Sequence, residues 1–180
     1  MVYQYWTSLP KEQRLLYLIG LFSLITGLSC IFAHLVFGGT LEGPISWRKP
    51  FMFDTSLGVI QLITAWAIGY FPQWKYRKFF TVGLIGFAIA LNVIFVTMQQ
   101  ARGTMSHFNW FTGELNAWIA RGIIGVAIFA YIGILVVTVK SFSKLNATPS
   151  LAKAIRLFTL VAGIVLSMCT VHRIPPLMSS

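Results

Sequence analysis

Acidic residues are scarce in this 180-residue chain: four Asp and Glu stand against 14 Lys and Arg, for a formal charge of +10, and charged residues make up only 10% of the whole. Water-soluble domains carry roughly a quarter of their residues as charges. With 57% hydrophobic residues and a mean hydropathy of +0.76, the chain is composed for lipid rather than water. Nucleic acid is excluded as the reason for the basic excess, because the cations lie between long apolar runs and not along one folded face. Cysteine is nearly absent too: Cys30 and Cys169 sit far apart inside apolar runs, with no CxxC. That excludes a disulfide framework and a cysteine-rich zinc site, and leaves two small buried hydrophobes. HxxxH and HExxH spacings are missing, as are internal repeats and low-complexity tracts. The residues before Cys30 do not suit a lipoprotein. The first apolar run is longer than a signal-peptide core and lacks a small-residue cleavage site, so it reads as a retained span.

What is present is long apolar runs. A helix needs roughly 20 mainly apolar residues to cross the hydrocarbon layer, and five stretches qualify: about Leu15 to Phe37, Phe51 to Phe71, Phe79 to Met98, Ala117 to Val139, and the shorter Ala154 to Val171. Runs of this length, without period-2 alternation, exclude a barrel. The expected fold is therefore an all-α bundle of five transmembrane helices forming a single domain over residues 1–180. Pro50 suits a first helical turn, and Pro175-Pro176 stops the fifth span from continuing. Trp6, Trp74 and Tyr76 fall near one set of span ends and Trp47 and Trp110 near the other, as interfacial aromatics do.

Counting cations on each side of five spans orients the chain. The N-terminal side holds nine: Lys11, Arg14, Lys75, Arg77, Lys78, Lys140, Lys144, Lys153 and Arg156. The other side holds five, Arg48, Lys49, Arg102, Arg121 and Arg173. The positive-inside rule then puts the N-terminus in the cytoplasm and the C-terminus outside, which fits a bacterial inner (plasma) membrane.

The side with fewer cations carries the less ordinary chemistry: all three histidines and three of the four acids. His34, Asp54, Arg121 and His172 with Arg173 fall at similar depth near its span ends. Asp54, Gly58 and Gln61 form one helical stripe; Asn92 and Gln99 form another that Arg102 extends. Two such stripes facing one another would line a cavity open to the outside, with Gly58 admitting a close neighbour. An ionisable side chain in a span costs a few kcal/mol, so Asp54 is expected to pair with Arg121 or to share Arg48.

The first functional expectation is a pocket for a small anionic molecule or lipid headgroup. Arg48, Lys49, Arg102 and Arg121 would hold the anion, Gln99 and Asn109 would orient it, and Asp54 or His107 would move a proton if the pocket is enzymatic. No nucleophile stands out. The alternative is redox: His34 and His172 as axial ligands of a b-type haem, or a quinone site on the same residues, provided the first and fifth helices are neighbours. His34, His107, His172 and Asp54 supply enough ligands for zinc but lack metal-site spacing. Small size and the lack of a repeat weigh against a transporter unless the chain forms a homo-oligomer. A structural or accessory membrane subunit is the plain alternative to all of these, with the bilayer as its partner.

Overall fold

The computed structural model describes residues 2–39, 45–104, 113–143 and 145–171. All regular structure among them is helical. A short α1 (Val2–Ser8) leads into α2 (Lys11–Phe37), followed by α3 (Arg48–Ile68), α4 (Phe79–Ala101), α5 (Glu114–Ser141) and α6 (Pro149–Val171). Among the described residues, α2, α3, α4 and α5 are each long and apolar enough to cross a membrane. They correspond to the first four runs read from the sequence. The fifth run forms α6, which begins at Pro149, ahead of the expected Ala154. A proline lacks the N–H that a first helical turn leaves unused, so it suits that start. Pro50 lies in the first turn of α3 for the same reason. Pro175-Pro176 lie outside the described residues.

The tightest pairing is α2 against α3. Buried positions on α2 are Gln13, Leu16, Gly20, Ser23, Gly27 and Cys30, stepping alternately by three and four residues, which keeps one seam toward a partner helix. Four of the six are Gly, Ser or Cys. Without a hydrophobic drive between helices in lipid, close backbone approach is what small residues supply. A Cβ on Gly58 would lie 2.9 Å from the Leu24 backbone nitrogen, and one on Gly27 would lie 2.9 Å from that of Thr55. Gln13 ties the basic end of the pair by donating to the Ala65 carbonyl at 2.8 Å.

On the other side, α4 leans on α2 and α3 and presents Ile85, Ile89 and Val93 to Ile134 and Val137 of α5. Its first turns, Phe79–Gly86, are wound as a π-helix. Here Gly86 is buried against Leu16 and Ile19 of α2 while Gly83 faces outward. Polar bonds join α5 to α6: Arg156 Nε donates to the Ser141 carbonyl at 2.9 Å, and the Thr159 hydroxyl lies 3.2 Å from that of Ser141. Basic side chains at a helix C-terminus satisfy its last carbonyls in this way. Outward positions are large and apolar, among them Ile25 at 65%, Phe32 at 68% and Leu35 at 75% exposure. A bundle with its big hydrophobes outside and its small and polar residues inside is built to be surrounded by hydrocarbon.

Candidate functional site

At the end of the bundle away from Lys11, three helices converge on a carboxyl group. Asp54 of α3 is fully buried. Thr97 of α4 donates its hydroxyl to Asp54 Oδ2 at 2.8 Å. Cys30 of α2, also buried, lies beside both. The second carboxyl oxygen, Oδ1, is buried with no hydrogen-bond partner. Each residue is placed by its helix's seam: Cys30 ends the small-residue stripe of α2, and Asp54 sits one turn before Gly58 on the buried face of α3.

Both polar stripes face inward. Asp54, Gly58 and Gln61 are buried on α3, and Asn92 and Gln99 on α4. Gly58 does admit a close neighbour, Leu24 of α2. Gln61 reaches the Leu16 carbonyl at 3.4 Å through its amide nitrogen, while its Oε1 and Asn92 Oδ1 are buried without partners. The contact between α3 and α4 at the carboxyl is made by Thr97, which lies off the Asn92–Gln99 stripe, and three buried acceptor oxygens, on Asp54, Gln61 and Asn92, have no donor among the described residues.

Arg102 is held differently from the expected stripe because α4 ends before it. The Gly103 N–H bonds to the Gln100 carbonyl and the Thr104 N–H to the Gln99 carbonyl, each at 3.0 Å. This is the paired closure of a helix whose next residue is left-handed, here Gly103 at φ +63°. The turn brings Arg102 Nη1 to Gln99 Oε1 at 2.9 Å and the Thr104 hydroxyl to the same oxygen at 3.1 Å. Gln99 therefore orients an exposed guanidinium while its own Nε2 stays unpartnered. Ala101-Arg102-Gly103 was the signal for that turn.

The expected partnership of Asp54 with Arg121 or Arg48 is corrected. Neither arginine forms an ion pair with the carboxyl, and both are exposed. Arg121 lies one turn after Trp118 on the outward face of α5, with its guanidinium 5.3 Å from the indole ring centroid. A long cationic side chain near a span end reaches the interface more cheaply than it crosses the bundle. Lys49 is exposed in the first turn of α3. His34 is half-buried in the last turn of α2, its Nδ1 buried without a partner. His107, Asn109 and His172 lie outside the described residues. The redox alternative needs α2 beside α6, but α2 packs on α3 and α4, and α6 packs mainly on α5. Among the described residues no cluster of three or more His, Cys, Asp or Glu could hold a metal ion.

Thr97 was not singled out from the sequence, and Cys30 was read there as a small buried hydrophobe, which it is, but not as a neighbour of Asp54. Thr97 is the one hydroxyl between Phe87 and Ala101, and that isolation in an apolar run was the available signal. No family model, curated protein or solved structure matches the chain.

Proposed function

We propose that this chain spans the membrane five times, N-terminus in the cytoplasm and C-terminus outside in a bacterial inner membrane, and binds a small anionic molecule or lipid headgroup at its outer, Asp54 end. The observation that carries the proposal is Asp54 itself: fully buried and, among the described residues, hydrogen-bonded only to Thr97 and without a cation. A carboxyl kept at such a position costs a few kcal/mol against an apolar residue, and among the described residues no ion pair, the usual compensation, is made with it. The oriented Arg102, with the exposed Arg48, Lys49 and Arg121 at the same end of the bundle, would take the anionic group. A donor on the same ligand would reach Asp54 Oδ1, where a proton could also be exchanged. The carboxyl is the part of the site that reads the ligand's donor, and Arg102 the part that reads its charge.

The test is native mass spectrometry of the protein released from its expression membrane in mild detergent. A bound species of defined mass is expected on the parent. It should be lost in Asp54→Asn and weakened at least about tenfold in Arg102→Ala, the usual consequence of removing a charged hydrogen-bond partner. The mass separates a lipid from a water-soluble anion. A parent with no bound species that responds to Asp54→Asn or Arg102→Ala would sink the idea, whatever else the protein carries. Orientation has its own check: reporters fused to the two termini should appear on opposite faces of the membrane, and reporters on the same face would reduce the spans to an even number.

A further inference from the structure

A groove of about 440 Å³ lies at the opposite end of the bundle, between the first turns of α2 and the π-wound start of α4. Lys11, Glu12 and Leu15 form one wall; Lys78, Phe79, Val82 and Gly83 form the other. Its surface is mostly apolar, with the two lysines and Glu12 at the mouth. Gly83 lines it without a side chain: it is exposed, and a Cβ there would meet only Phe79, at 3.7 Å. Leu15 and Phe79 are open to the surroundings at 44% and 59% exposure. α2 and α4, both long and apolar enough to cross a membrane, begin at this end, so in a bilayer the groove would run from the interfacial region into the apolar layer.

The charges around the mouth do not balance. Glu12 is the only acid on this side of the described chain, and its carboxylate lies 4.0 Å from Lys78 Nζ. It also supports Arg77, whose side chain is buried and bonded to the Phe71 carbonyl at 3.4 Å, with Nε left unpartnered. Burial lowers Arg77 from the ordinary guanidinium pKa, and Glu12 opposes that. Lys11, with no acid of its own, adds a third cation next to this shared carboxylate. An anion is the missing member.

We propose that this groove binds one anionic phospholipid of the surrounding leaflet, its phosphate between Lys11 and Lys78 and an acyl chain along Leu15, Phe79 and Val82 over Gly83. The occupant follows from complementarity on both counts: an uncompensated positive mouth and an apolar trough that opens sideways to hydrocarbon. A soluble anion would use the first and leave the second empty. Under the orientation proposed above this leaflet is the cytoplasmic one, where anionic lipids give basic residues their attraction, but the site stands on its own residues.

The experiment measures retention of dioleoylphosphatidylglycerol against dioleoylphosphatidylcholine on the purified full chain by native mass spectrometry. The parent is expected to favour the anionic lipid by about tenfold or more, since each basic residue near such a headgroup contributes roughly fivefold. Lys11→Gln with Lys78→Gln should abolish the preference while both lipids still bind weakly. Gly83→Leu, which enters open space and leaves the fold intact, should displace both lipids. Lys140→Gln with Lys153→Gln, on the same side but outside the groove, should change nothing. Equal retention of the two lipids by the parent would overturn the proposal. So would equal loss in both lysine pairs, which would mean diffuse surface charge, or displacement of the bound lipid by millimolar inorganic phosphate, which would mean a soluble-anion site.

Discussion

Gly58→Leu and Gly27→Leu are each expected to lower the unfolding free energy of the bundle by about 3 kcal/mol or more, the upper range for overpacking a close contact. At both positions a new Cβ would meet backbone: 2.9 Å from the Leu24 nitrogen for Gly58, and 2.9 Å from the Thr55 nitrogen for Gly27. A flexible side chain could swing away, but a helix backbone can yield only by moving α2 and α3 apart along their length. That separation would also loosen Cys30 from Asp54 and Thr97, since all three helices meet there. Gly125→Ala is the matching control, because nothing lies within 4 Å of its added carbon; it should be neutral or stabilising by up to about 1 kcal/mol from helix propensity. The measurement is denaturant-induced unfolding in mixed micelles, followed by far-ultraviolet circular dichroism. Equal effects at Gly58 and Gly125 would mean that the seam does not set the stability.

The second large effect concerns Asp54, where two substitutions in one hydrogen bond should move stability in opposite directions. Asp54→Asn keeps the shape and an oxygen for the Thr97 hydroxyl, and removes a group that is costly within a span. Its unfolding free energy should be unchanged or raised by up to about 2 kcal/mol, while the bound species is lost. Thr97→Val removes the donor and leaves both carboxyl oxygens buried without partners, at a cost of about 1–3 kcal/mol. Combining them should give less than the sum, because the penalty of Thr97→Val depends on the carboxyl being there. Should Asp54→Asn destabilise the protein as much as Thr97→Val does, the carboxyl would be a packing element and the binding proposal would lose its footing.

The spans and the inward faces were legible in the sequence because they rest on local periodicity. Five apolar runs announced helices, and four of these meet the length and apolarity of a span in the described residues. The stripes Asp54–Gly58–Gln61 and Asn92–Gln99 are buried as their spacing implied. Short α1 escaped notice because seven residues give no periodic signal. Partner choice was not legible: Asp54 and Arg121 share a depth, but depth says nothing about which way each helix is turned. Arg121 is turned toward Trp118 and the surroundings, Asp54 toward α4.

The sequence by itself determined the solvent, the helices and the positions of the polar residues along them, since burial in lipid forces each run to satisfy its own backbone and to bear its polar groups on one face. Only the tertiary structure decided what those groups meet. Thr97 and Cys30, unremarkable in the chain, complete the surroundings of Asp54 because Gly20, Gly27 and Gly58 let α2 and α3 close up and α4 lay its one isolated hydroxyl against the carboxyl. The outward turn of Arg121 follows from the cost of carrying a guanidinium through a packed interior when the start of α5 lies about two turns away.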